Sequence, residues 1–119
     1  MKNFVQPGNV IEVPAAAAAV ASGQVVVIGA HIAIANHPAA IGEPYNATLD
    51  GVFSVPKAAG SAWTLGLPLM WDASVSAFTV VGTPATGDVT AGGATAFVAA
   101  ASADTTGYVR LAGIPGTVA

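Results

Sequence analysis

Residues 24–35 read Gln24-Val25-Val26-Val27-Ile28-Gly29-Ala30-His31-Ile32-Ala33-Ile34-Ala35. Two β-branched runs flank Gly29-Ala30. Branching at Cβ restricts χ1 and suits the pleated surface of a strand better than a helix. The segment is therefore expected to form two strands, either a hairpin or one bent strand. It lies inside a stretch, Pro14 to Gly42, that carries no formal charge and invites a membrane reading. Pro14, Ser22, Gly23, Gln24, His31, Asn36, His37 and Pro38 interrupt that stretch, whereas a span needs about 20 predominantly apolar residues in one helix. No membrane association is expected.

Outward from this segment the chain continues as short strands with Gly, Pro and Asp between them. Asn9–Val13 is the first candidate strand. Ala15–Ala21 has helix propensity but is short and stops at Ser22-Gly23, so a loop or a single helical turn is expected. Asn36–Pro44 reads as a loop. Tyr45–Leu49 and Val52–Val55 flank Asp50-Gly51, a hairpin turn or a bulge inside one long strand. Ala58–Gly66 is a connection of small residues containing Trp63. Leu67–Trp71 is a strand that Pro68 confines to an edge or a strand start. Asp72–Ser76 is a turn, Ala77–Val81 a strand, and Gly82–Gly93 a long surface loop. Ala94–Ala101 and Tyr108–Ala112 close the chain as strands, joined by Ser102–Gly107. The expected organisation is an N-terminal arm (1–8), one β domain (9–112) and a short tail (113–119), with the fold a compact all-β barrel or sandwich and the arm flexible.

Composition narrows the function. The chain has 119 residues, 54% hydrophobic, of which 27 are alanine, and only 8% are charged. High hydrophobicity with low charge excludes a disordered chain. Lys2, Lys57 and Arg110 are the only cations and the net charge is −3, so the basic surface that nucleic-acid binding needs is missing. The absence of cysteine removes disulfides, thiolate nucleophiles and thiolate metal sites. A free monomer normally keeps soluble with a charged surface. So neutral a chain is expected to hide surface against other subunits or a partner. The first residues have no continuous apolar run, so no secretory signal is expected.

Motifs for chemistry are sparse. His31 and His37 are six residues apart and would share a face if one strand ran through both. With Glu43 or Asp50 they would make a small metal site, but Asn36 and Pro38 flank His37 and suggest that the strand ends before it. Asp50, Asp72, Asp88 and Asp104 each stand in a turn context, where aspartate bonds its own downstream backbone. There is no G-x-S-x-G nucleophile elbow, no phosphate-binding P-loop and no dinucleotide fingerprint. Lys57 follows Pro56 and reads as an exposed, lone salt-bridge partner. Phe4, Phe53, Trp63 and Trp71 are too scattered for a base-stacking platform, and core or subunit-interface packing suits them better.

Several segments, in order, carry a resemblance: Lys2-Asn3-Phe4-Val5-Gln6-Pro7-Gly8, Val10–Val13, Ala21–Gly29, Gly51-Val52-Phe53-Ser54-Val55-Pro56-Lys57-Ala58-Ala59-Gly60, Leu69-Met70-Trp71-Asp72 and Tyr108-Val109-Arg110-Leu111. Together they resemble the small capsid decoration proteins of tailed phages and prophages, also called cement or head-stabilising proteins. The most specific piece is the GVF-x-x-PKAAG segment. The resemblance implies a β-barrel-like domain on the outer capsid lattice, bound to the major capsid protein of a phage head. It implies a homo-oligomer, most often a trimer, with no catalysis and no cofactor. The protein would then reside on the virion surface, and in the bacterial cytoplasm during assembly.

Under that reading, function rests on surfaces. Phe4 and Val5 of the arm are expected to reach a neighbour, Trp63 and Trp71 to lie in the core or at a subunit or capsid contact, and the 82–93 loop to face solvent or capsid. Two other readings remain: another virion module, such as a fibre base or tail component, and a small β-barrel ligand- or metal-binding module built on His31 and His37.

Overall fold

The computed structural model describes Asn3 and residues 6–119; Phe4 and Val5 lie outside the described residues. Eleven strands form three antiparallel sheets, and no helix occurs among the described residues. The first sheet contains β1 (Val10–Val13), β4 (Tyr45–Thr48), β3 (His31–Ala35) and β2 (Val25–Ile28), in that spatial order. The second contains β5 (Asp50–Pro56), β10 (Thr106–Ala112) and β9 (Thr95–Ala96). The third contains β11 (Thr117–Val118), β8 (Val89–Thr90), β6 (Leu69–Asp72) and β7 (Ala77–Val80).

The segment 24–35 forms the hairpin, with Ile28 opposite His31 and Val25 opposite Ile34 across Gly29-Ala30. Successive strand residues point to opposite faces, and β3 uses both. Ile32 and Ile34 enter the main core beside Val55, Leu69, Trp71, Phe78, Val89, Val109 and Leu111. Ala33 and Ala35 enter a second, smaller core with Ala16, Ala39, Tyr45, Ala47 and Leu49. Ala16 and Val20 bring the alanine-rich stretch over that second face. Val20 bridges Ala39, and the Ala16 N–H donates to the Glu43 carbonyl at 2.8 Å. The stretch is a loop; its helical alternative is not used, because an extended course lets its backbone pair with residues 39–43 while Ala16 and Val20 join the second core. Each fully buried aliphatic side chain of the main core contributes about 1.5–3 kcal/mol.

Tyr45–Leu49 and Val52–Val55 are neither a hairpin nor one strand. After β4, Leu49 is the single residue between sheets, and β5 pairs along its length with β10, from Asp50 opposite Ala112 to Pro56 opposite Thr106. Isolated bridges Lys57–Phe78 and Pro68–Thr95 link the second sheet to the third. These links are too short to close a barrel, so the arrangement is sandwich-like. Pro68 precedes β6, which therefore runs inside its sheet, as a strand-start proline permits.

Three local expectations change. The 82–93 segment contains β8, whose Val89 is fully buried and pairs with Trp71. Only Thr95–Ala96 of the expected 94–101 strand forms one. Thr117 and Val118, expected in a tail, pair with Thr90 and Val89. Two-residue strands are too short for alternation to be visible in sequence.

Candidate functional site

The longest strand pairing is β5 with β10, and its outward face gathers exposed apolar side chains. Along β10, Gly107, Val109 and Leu111 point inward while Thr106, Tyr108, Arg110 and Ala112 point outward. Register places Ser54 beside Tyr108 and Val52 beside Arg110. On the other side, Thr95 pairs with Arg110, and the Phe97 N–H donates to the Tyr108 carbonyl at 2.9 Å. The face thus has two rows, Val52–Arg110–Thr95 and Ser54–Tyr108–Phe97. Val52, Tyr108 and Phe97 are each about half exposed. Leu65 and Val98, between the bridges Trp63–Ala100 and Pro68–Thr95, extend the exposed apolar surface past β9. Aromatic residues and arginine are the types enriched at the centre of protein–protein interfaces.

A buried block stiffens this face from behind. Trp63 is 2% and Lys57 3% exposed. The Lys57 ammonium donates to the carbonyls of Ala58 and Asp104 at 3.2 and 3.3 Å and lies 5.5 Å from the Trp63 ring centroid. Such a contact is worth about 2 kcal/mol when desolvated. The expected exposed, salt-bridging lysine is therefore corrected: its stem is buried and its charge is held by carbonyl dipoles and an indole face. Trp63 also covers Gly107, where an added Cβ would lie 2.4 Å from the ring. Hence the PKAAG stretch is a structural motif: β5 presents Val52 outward while its extension sends Lys57 under the sheet.

Trp71 is 7% exposed and packs edge-to-face on Phe78, with ring centroids 5.1 Å apart. Both tryptophans belong to the chain's own core, which leaves them little surface for a subunit or capsid contact. Tyr108, Phe97, Val52 and Leu65, by contrast, are exposed. Sequence reasoning passed over them because they come from distant segments, although the period-2 pattern of 106–112 carries a signal for Tyr108.

The histidines are not brought together. His31 opens β3, whereas His37 lies beyond its far end. Nε2 of His37 accepts from the Asn46 N–H at 3.2 Å, and its Nδ1 stands 3.2 Å from the Pro38 carbonyl. One tautomer satisfies both contacts, leaving no ring nitrogen for a metal. No group of three or more metal-ligating side chains occurs among the described residues. Asp72 accepts from the downstream Ser74 N–H, as expected, whereas Asp88 and Asp104 accept from upstream residues: Asp104 from the Ala101 N–H, and Asp88 from the N–H groups of Ala85 and the distant Ala73. Asp50 instead opens β5.

These features define a small β-sandwich module whose distinctive surface is an almost neutral, aromatic sheet face suited to binding another protein. A family model described as phage cement protein matches residues 5–111, and the chain belongs to that family. Its role is therefore structural and associated with the phage capsid. No curated protein and no solved structure matches the chain. No helix among the described residues is long and apolar enough to cross a membrane.

Proposed function

We propose that this chain is a capsid decoration protein that binds the outer surface of the assembled head and stabilises it without catalysis. The observation that supports the reading is the outward face of β5, β10 and β9, where Tyr108, Phe97 and Val52 surround Arg110, the one exposed cation among the described residues. A ligand that binds the assembled shell but not its free subunits stabilises the shell by mass action. Many identical copies add avidity, so each contact can be modest. The protein acts as a homo-oligomer, a trimer, on the major capsid protein, with Phe4 and Val5 of the arm adding contact to a neighbour. It resides on the virion's outer surface after passing through the bacterial cytoplasm during assembly.

Co-sedimentation with purified heads tests this. Wild type pellets with heads and not with tails. Tyr108→Glu replaces the aromatic side chain at the centre of the face with a carboxylate and lowers head affinity by at least about tenfold, a cost of about 1.4 kcal/mol or more. Wild-type binding to tails alone would move the chain to a fibre-base or tail role. Unchanged binding by a folded Tyr108→Glu protein would move the docking face elsewhere. Light scattering across a dilution series tests the trimer.

A further inference from the structure

The last strand, β11, lies beyond the residues that carry the family match, which ends at Leu111. It covers the outer edge of β8 and touches the rest of the fold through few groups. Thr117 pairs with Thr90 and Val118 with Val89. The Ala119 N–H donates to the Asp88 carbonyl, and the Gly87 N–H donates to the Ala119 carbonyl, both at 2.9 Å. At the other end, the Gly116 N–H donates to the Ala30 carbonyl at 2.8 Å. Both residues of β11 are exposed.

The receiving edge is built for this segment. Asp88 is buried, and its two carboxylate oxygens accept from Ala73 and Ala85, fixing the turn that presents the Gly87 N–H and the Asp88 carbonyl. At Gly116 a Cβ would lie 2.4 Å from the Thr90 carbonyl oxygen, so the chain approaches β8 more closely than any side chain allows. The connection from β10 is Gly113-Ile114-Pro115-Gly116. Ile114 lies against Gly93 but is half exposed along an open apolar groove of about 450 Å³ that also includes Leu69 and Val81, so packing holds this hinge only in part. Pro115 holds one φ and favours an extended course.

We propose that β11 is an exchangeable strand, and that the β8 edge of one copy accepts residues 116–119 of a second copy. What fits this edge is shown by the chain's own segment, and every other copy carries the same segment. Exchange breaks and remakes the same hydrogen bonds, so the two arrangements differ only in the hinge and in the cost of association. Neighbours held on a shell are at an effective concentration of about millimolar, which reduces that cost. The exchanged strands would then tie decoration subunits to one another, independently of the face that grips the shell.

The chain has no cysteine, which makes the test direct. Thr90→Cys and Thr117→Cys proteins are mixed unlabelled and isotope-heavy at about millimolar concentration, oxidised, and read by mass spectrometry. Exchange gives, as the main covalent product, a mixed dimer whose disulfide joins position 90 of one chain to position 117 of the other. Adding Gly116→Ala to the Thr117→Cys chain abolishes that product. The double variant, which carries both cysteines in one chain, calibrates closure of the pair. Internal closure there with no mixed dimer overturns the proposal, as does a mixed dimer that survives Gly116→Ala. Should the cysteine pair not close at all, hydrogen exchange decides. Amide protection of Thr90 that is independent of protein concentration overturns exchange, and protection that changes with concentration and is lost on removing 114–119 supports it. Head binding enters none of these readouts, so their failure is separate from failure of the cement role.

Discussion

Gly107→Ala adds one methyl group at the point where β10 passes over Trp63. Gly107 has ordinary negative-φ backbone, so the substitution is free of conformational strain and its cost is the collision alone. The new Cβ would lie 2.4 Å from Cζ3 and 3.0 Å from Cε3 and Cη2 of Trp63. Carbon atoms in contact prefer about 3.5–4.0 Å, so the indole must retreat by about 1 Å. It has little room, because Trp63 is buried and Lys57 stands over its ring. Overpacking of this kind costs about 1–3 kcal/mol, and the upper half applies because the displaced ring also loses its ammonium. The expected loss is about 2–3 kcal/mol, or roughly 6–15 °C in Tm for a chain of this length. Urea unfolding followed by circular dichroism measures it, provided the transition is two-state. The partner experiment is Trp63→Phe, which removes the outer ring carbons that collide. In that background Gly107→Ala should cost less by at least about 1 kcal/mol, a coupling that double-mutant cycles resolve. A cost under about 0.5 kcal/mol, or the same cost in both backgrounds, would refute the close approach of Gly107 and Trp63.

Three further outcomes follow from particular contacts. Lys57→Ala leaves the Ala58 and Asp104 carbonyls without their donor and a void above Trp63, and lowers unfolding stability by about 2–4 kcal/mol; Lys57→Met keeps the stem and recovers at least half of that. Asp88→Asn replaces one of two acceptor oxygens with a donor facing an N–H group, so Ala73 or Ala85 loses its partner. The cost is about 1–3 kcal/mol, seen as a lower Tm and faster exchange of the Ala119 amide, which donates to the Asp88 carbonyl; unchanged exchange would show that Asp88 does not organise the β11 edge. Excess zinc leaves the Tm of wild type and of the His31→Ala/His37→Ala variant alike, because ligand binding to the native state alone would raise it; a zinc-dependent rise confined to wild type would restore a histidine metal site.

The division between what is legible in the sequence and what is not follows the range of the interactions. The hairpin at 24–35, the strand-like runs around it and the turn role of Asp72 are readable, because β-branching and an Asx turn act within a few residues; Asp88 also holds Ala73, 15 positions away, which local sequence does not show. Lys57 reads as exposed because its burial depends on Trp63, Asp104 and Gly107, which lie up to 50 positions away. Val89 and Thr90 look like loop because a two-residue strand has no period, and only pairing with Trp71 and with β11 makes it one. Residue type places Trp63 and Trp71 among packed residues, but it is the sheets that turn them inward and leave Tyr108 and Phe97 outside.

The amino-acid sequence by itself therefore determined an all-β chain with a neutral surface, no thiol chemistry and a family resemblance carried by linear segments. These are properties of composition and of short-range backbone preference. The tertiary structure alone decided which face of each strand meets solvent, that a lysine is enclosed, and that Val52, Arg110, Tyr108 and Phe97 form one surface. Those outcomes depend on register between strands tens of residues apart, and a shift of one residue in that register would send every one of these side chains to the opposite face.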